Sequence, residues 1–553
     1  MDEQLRGQVE AWIAADPDAA TRDRLAHLVA AADAGDQGAA DEVADAFAGR
    51  LAFGTAGLRA AMGPGPNRMN RVVVTQASWG LGRWLREDEG YPAGAPVLVG
   101  YDARHNSEQF ARDTAEVLAG LGCAPLLTAT HVPTPVVAFG CRGLGAAAGV
   151  QVTASHNPGR DNGYKVYNVD ASQIVPPMDT RIAARIDEVA ARPVAEAPRS
   201  DAYDHAGPDL LDAYVARVAA LVEGATSHDV VWAYTPMHGV GGAVMERIVE
   251  STGFPPPAIV EAQFAPDPDF PTVPFPNPEE RGAMDLVIAR ARDAGADIAI
   301  ATDPDADRCG AAACVGGVWR RLTGDEVGIL LGDDAMRRGV PGRFACSIVS
   351  STMLGTMAAA RGREFVTTLT GFKWIGRVPE LAFGYEEAIG YCCDPAHTPD
   401  KDGLSAMAVL LRLTAELKAQ GRTIADRLDE IDAEFGPHTT AQHSVRVDRL
   451  SKIADMMARL RAAPPSMLAG SGVTVRDWRT NPAAGLLPTD AVEFTGGRVH
   501  VVVRPSGTEP KLKCYLEARA DPVPAGPGLD QARAANQATL AHLWADVAAV
   551  LGA

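Results

Sequence analysis

Four short stretches of this chain carry residue types that could do chemistry. In "QVTASHNPGRDNGYKVY" (Gln151 to Tyr167), an apolar run leads into Ser155 and His156 on a tight turn, with Lys165 on the next extended segment. A serine becomes a nucleophile when a base or a cation activates it. The same composition also makes a plain Ser/Asn turn that caps its own backbone. No GxSxG elbow and no evident acidic partner accompany the serine, so a hydrolase triad is not indicated.

The second stretch is "ATDPDADR" (Ala301 to Arg308), where Asp303, Asp305 and Asp307 alternate at the end of an apolar run. Three carboxylates this close repel one another unless a cation sits among them. Hard oxygen ligands on a short loop suit Mg²⁺, which usually also takes a phosphate oxygen; the bland alternative is a solvated acidic turn. Arg308 stands where an EF-hand loop needs Gly, and Cys314 where it needs Glu, so that reading fails. Arg308 offers a fork to the same phosphate.

In "GYEEAIGY", Glu386 and Glu387 end another apolar run. Carboxylates there can accept sugar hydroxyls, or simply open a helix. In "RPSGTEPKLK", Arg504, Ser506, Gly507, Thr508, Lys511 and Lys513 surround a turn. Backbone N–H groups, hydroxyls and a guanidinium of this kind cradle phosphate, although a charged hairpin has the same letters. No Walker A string occurs. Nucleophile, metal, sugar acceptors and phosphate cradle together describe phosphoryl transfer to and from a phosphosugar.

These loops need elements to hold them. "APVLVGYD", "APLLTAT" and "AAAGVQVTA" read as buried strands, separated by the helical "SEQFARDTAEVLAGLG" and "TPVVAFGCRGLG". The alternation returns from "DVVWAYTP" to "DIAIATDPD" and again from "GDEVGILLGDDAMRRG" through "FKWIGRVPEL" to "FGYEEAIGY". That grammar predicts three tandem α/β domains with mixed or parallel sheets, whose strand ends are where ligands bind. Residues 2–50 read as helices, and the end of the chain, from "TAQHSVRV" to the last helix, as a smaller α+β domain. The expected divisions are 1–50, 51–208, 209–322, 323–436 and 437–553: a helical extension, then phosphoserine, metal-binding, sugar-binding and phosphate-binding domains.

With 553 residues, 47% of them hydrophobic and 22% charged, the composition is that of an ordinary globular protein. A net charge of −19 argues against nucleic acid as a partner, but local basic loops can still bind an anionic small molecule. No apolar run approaches a membrane span, and the acidic start lacks signal-peptide character. Eight scattered cysteines without zinc spacing fit reduced thiols, hence a cytoplasmic protein with no membrane partner.

"TASHNP", "DPDADR", "GYEEAIG" and "RPSGTEPK" resemble, in order, the four signature loops of the α-D-phosphohexomutase superfamily, the phosphoglucomutases and phosphomannomutases. "FPTVPFPNPEE" and "TLTGFKW" resemble its phosphoglucomutase-2-like branch, which includes phosphopentomutases and a glucose-1,6-bisphosphate synthase. The resemblance implies three similar α/β domains and a smaller fourth around a central cleft. It implies interconversion of glucose or mannose 1-phosphate and 6-phosphate through a phosphoserine and a bisphosphate intermediate. The cofactors implied are Mg²⁺ and a glucose 1,6-bisphosphate activator.

Carried over by match, Ser155 is the phosphoserine and a metal ligand with Asp303, Asp305 and Asp307. Arg59 in "GTAGLR" faces the phosphate, and His156 and Lys165 are both candidates for the acid or base. His238, Thr370, Lys373, Glu386, Glu387, Lys401, Arg504, Ser506, Gly507, Thr508 and Lys513 are expected at the substrate. One departure is Ala388, where many hexose enzymes of the family have Ser; a lost hydroxyl leans the pocket toward pentoses. A phosphosugar phosphatase or a non-catalytic sensor stands as the rival.

Overall fold

The computed structural model describes residues 1–54, 57–506 and 511–552. The chain forms two compact units: residues 1–312 with 394–412, and residues 313–393 with 413–553.

The first unit opens with three helices, Glu3–Ala15, Ala19–Asp33 and Gln37–Ala46. Each is capped by an aspartate, Asp2, Asp18 or Asp36, whose carboxylate accepts a first-turn N–H. They close on a small core of Val9, Leu25 and Val43. A six-stranded sheet follows, in the order Leu58–Ala61, Asp161–Tyr167, Ala148–Val152, Pro96–Tyr101, Ala124–Thr128, Asp204–Ala206. The last four run parallel, while Asp161–Tyr167 is antiparallel to Ala148–Val152, and Leu58–Ala61 to Asp161–Tyr167. Ala148–Val152 is wholly buried, which is why its sequence is a continuous small and apolar run rather than an alternating one. Arg71–Arg83, Ser107–Gly120, Thr134–Leu144 and Met178–Ala190 are the main helices of this region.

A second sheet in the same unit has Cys309–Val315, Ile298–Thr302, Trp232–Thr235 and Ala258–Ile259 as neighbours in that order. Cys309–Val315 is antiparallel to Ile298–Thr302, and the other pairs are parallel. Its "CGAAACV" letters carry no β-branched pattern because space is short: a Cβ at Gly310 would lie 2.6 Å from Pro278.

In the second unit, Phe365–Thr368, Arg343–Ser347, Leu381–Glu386 and Gly390–Cys392 form a sheet in that order, antiparallel only at the last pair. Gly324–Arg337 starts on a Thr323/Glu326 capping box. Of "FKWIGRVPEL", only Phe372–Ile375 is helical; Gly376 and Pro379 stop it. The six-stranded antiparallel sheet of the fourth region runs His438–Arg446, Lys511–Arg519, Val499–Pro505, Val492–Gly496, Ser471–Asp477, Met467–Leu468. Helices Leu450–Ala462 and Pro527–Leu551 bury their apolar sides in its core. The architecture is that of three α/β regions and a C-terminal α+β region.

Candidate active site

The buried strand Ala148–Val152 ends in a turn where Ser155 takes a left-handed backbone, φ +53°. Its Oγ donates to Asp303 Oδ2 at 3.0 Å and lies 3.2 Å from His156 Nδ1. Asp303 belongs to the loop that follows the equally buried strand Ile298–Thr302. Asp303, Asp305 and Asp307 are all fully buried, and one carboxylate oxygen from each lies within 4.8 Å of the others. The acidic loop is therefore no solvated turn.

Lys165, on the antiparallel strand Asp161–Tyr167, bridges two of the three: Nζ is 2.6 Å from Asp305 Oδ2 and 2.7 Å from Asp307 Oδ2. Lys401 Nζ stands 3.5 Å from Asp307 Oδ2. Thr134, the first residue of helix Thr134–Leu144, donates its hydroxyl to Asp305 Oδ2 at 2.5 Å and its N–H to the Asp305 carbonyl at 2.9 Å. With these contacts on the Oδ2 atoms, Asp305 Oδ1 and Asp307 Oδ1 are buried without a hydrogen-bond partner. Orphaned carboxylate oxygens are costly, and a hard divalent cation is the partner that such a set fits. The donor set is all oxygen, so it suits Mg²⁺ rather than a soft metal.

The charges respond to this crowding. Burial, reinforced by Asp305 and Asp307, holds the Asp303 carboxyl well above its ordinary range. Burial would also raise Asp307, but Lys165, Lys401 and Arg308 outweigh it and hold that group far down. Burial would lower Lys165, yet Asp305 and Asp307 more than offset it and raise it. His156 falls well below the usual imidazole range, first through burial and then through Arg308 and Arg59. Arg308 gives its N–H to Asp303 Oδ1 at 3.1 Å, and its guanidinium lies 3.6 Å from Glu279 and 3.8 Å from Asp307 Oδ1. Arg59 donates to Asn157 Oδ1 at 3.1 Å, beside the serine turn.

Ser155, His156, Lys165, Arg59, Arg308, the three aspartates and Lys401 thus converge in the first unit. His238 is in that unit too, on a left-handed turn at φ +61°, but its Nε2 is 2.8 Å from Thr272 Oγ1. The turn backs the aspartate loop: a Cβ at Gly239 would strike Pro304 at 2.4 Å. In the second unit, Glu386 ends strand Leu381–Glu386. The Glu387 carboxylate accepts from Ser347 Oγ at 3.1 Å and Ser350 Oγ at 3.2 Å, which ties it to the scaffold. Thr370 precedes the short helix that carries Lys373, whose Nζ lies 5.6 Å from the Trp374 ring centre. Arg504 and Lys513 are paired across neighbouring strands, and Ser506 N–H donates to the Lys511 carbonyl at 2.8 Å. Gly507 and Thr508 lie outside the described residues. Thr134 and Arg104, which holds the serine turn, were not singled out in the sequence; the run "YDARHNS" after a buried strand was the one available signal.

Family models match in order: the phosphoglucomutase/phosphomannomutase alpha/beta/alpha domains I, II and III at residues 50–193, 212–316 and 323–434, and the C-terminal domain at 444–524. The chain belongs to the phosphoglucomutase/phosphomannomutase family. It is 45% identical to the Haemophilus influenzae protein named "Probable phosphomannomutase", over 82% of this chain and 93% of that one. It is 36% identical to the Saccharomyces cerevisiae "Phosphoribomutase", over 87% and 88%. A solved structure from Thermus thermophilus, described as "putative phosphomannomutase", superposes with a TM-score of 0.68 at 26% identity, over 89% of this chain and 99% of that one. As a member of the family the protein is a phosphosugar mutase, an isomerase that works by phosphoryl transfer. Among the described residues no helix is long and apolar enough to cross a membrane.

Proposed function

We propose that Ser155 carries the phosphoryl group and that the enzyme interconverts the 1-phosphates and 6-phosphates of glucose or mannose through a sugar bisphosphate. The supporting observation is Ser155 Oγ at 3.0 Å from Asp303, on a loop with two buried carboxylate oxygens that accept no hydrogen bond. In the forward half, a sugar hydroxyl oxygen bonds to the phosphorus of phosphoserine 155 while the P–Oγ bond breaks. The hydroxyl proton leaves to a base, and Oγ recovers one. The bisphosphate then returns its other phosphoryl to Ser155.

Such a transition state is loose, so catalysis rests on positioning and on charge. Mg²⁺ held by Asp303, Asp305, Asp307 and the serine phosphate would offset charge on the moving group. We assign the serine proton to His156, supported by its 3.2 Å distance from Oγ, and the orienting of the carboxylates to Lys165, supported by its bonds to two of them. Arg59 and Arg308 face the phosphate. Glu386 accepts sugar hydroxyls, and Arg504, Ser506, Thr508 and Lys513 take the far phosphate. Glucose 1,6-bisphosphate serves as the activator that loads Ser155. We assign the enzyme to the cytoplasm, a reading supported by eight cysteines held as thiols rather than disulfides.

A pentose reading also has support: Ala388 beside Glu387, and the relative named as a phosphoribomutase. Incubation with Mg²⁺ and glucose, mannose or ribose 1-phosphate, followed by phosphorus NMR, separates the readings. A new sugar phosphate is expected. Free phosphate would mean a phosphatase, and no change a sensor.

A further inference from the structure

The turn carrying Ser155 sits in a backbone region that side chains rarely adopt, so something must hold it. Arg104 does. Its side chain is 1% exposed. One terminal nitrogen donates to the carbonyls of Ser155 and Asn157, at 2.5 and 2.6 Å, and the other to those of Pro158 and Asp161, at 2.9 and 3.1 Å. Nε lies 3.2 Å from Asp102 Oδ2. Asp102 also accepts from Thr153 Oγ1 at 2.6 Å, and Thr153 Oγ1 in turn accepts the Ser155 N–H at 2.8 Å. The far side of the turn is closed as well: Phe270 lies 4.9 Å below the guanidinium, and a Cβ at Gly159 would strike the Pro268 carbonyl at 2.6 Å.

Arg104 spends both terminal nitrogens on four carbonyls within the seven residues 155–161, while its Nε faces Asp102. Lysine, with three donors on one atom, cannot reproduce that planar fork.

We infer that Arg104, oriented by Asp102, is a positioning residue for phosphoryl transfer: it clamps the left-handed Ser155 turn so that Oγ stays on the Asp303 loop. The inference rests on Ser155 being the phosphoryl carrier. It is tested with Arg104→Lys, Thr153→Val and, as a control on the carrier, Ser155→Ala. The readouts are kcat, the dissociation constant of glucose 1-phosphate by calorimetry, and the rate at which glucose 1,6-bisphosphate labels Ser155, by peptide mass. Arg104→Lys is expected to lower both kcat and the labelling rate by about 10²-fold, the scale of an ångström's misplacement, with the dissociation constant unchanged. Thr153→Val, which keeps the shape, is expected to lower both rates by about 10-fold, the scale of one hydrogen bond. An Arg104→Lys enzyme with wild-type labelling rate overturns the inference. If that variant does not fold, wild-type labelling in Thr153→Val overturns it. Turnover in Ser155→Ala would instead overturn the carrier assignment itself.

Discussion

Ser155 and the aspartates are single residues with separable jobs. Ser155 Oγ makes one hydrogen bond, to Asp303, and lies near His156, so Ser155→Ala is expected to nearly retain its melting temperature while turnover falls to background. Intact mass of the wild type should carry one phosphate that the variant lacks. The metal makes a second prediction with a readout besides activity. A cation held by Asp303, Asp305 and Asp307 would bind the folded state and not the unfolded one, which would add about 2.7 kcal/mol at a hundred times its dissociation constant. Adding Mg²⁺ to EDTA-treated protein should therefore raise the melting temperature, and Asp305→Asn should remove most of that rise. A melting curve blind to Mg²⁺ would make the loop structural.

At the scale of elements, the start of helix Thr134–Leu144 is tied to the aspartate loop through Thr134. Thr134→Val removes a bond to a charged group, worth about 1.5–3 kcal/mol. The Mg²⁺ concentration giving half the thermal shift should rise about tenfold or more, and Thr134→Ser should restore it. Helix Gly324–Arg337 makes a different prediction. Its Asp325 accepts from Ser351 N–H, Tyr385 hydroxyl and Thr440 hydroxyl, yet burial pushes its carboxyl up to about 7. The folded state then holds this proton more tightly than the unfolded one. Its contribution is complete below about pH 4 and is lost as pH rises toward 7. Asp325→Asn keeps an acceptor and removes the titration, so its stability should change less between pH 4 and 8 than the wild type's, read from denaturant melts.

The same scale shows what the letters carried. Strands such as Ala148–Val152 were legible because burial on both faces forces an apolar run, and the loops behind them because polar residues there must bind something. Cys309–Val315 was not, since small residues chosen for close packing leave no periodic signal. Nor were Thr134 and Arg104, whose partners lie 171 and 51 residues away at Asp305 and Ser155. Pairings of that kind are products of the fold and leave no local pattern.

For the whole molecule, the property to test is the choice of sugar. Ala388 offers no hydroxyl beside Glu387, and a site lacking one donor discriminates less among substrates. Wild-type kcat/KM is expected to be measurable on glucose, mannose and ribose 1-phosphates. Ala388→Ser should tilt the ratio toward hexoses by about 1 kcal/mol, the net worth of a hydrogen bond; a wild type already as selective as the variant would clear Ala388 of that role. The chain's path has its own consequence. Residues 394–412 belong to the first unit, although everything from 313 to 393 belongs to the second. That late segment supplies Asp400 to the Tyr167 hydroxyl, Asp402 to the Tyr214 hydroxyl and Lys401 to the neighbourhood of Asp307. A ribosome adding about 5–20 residues per second needs about 5–20 seconds to travel from residue 312 to residue 412. Throughout that interval the nascent first unit lacks Asp400, Lys401 and Asp402, so its last contacts can form only after the chain of residues 313–393 has been made.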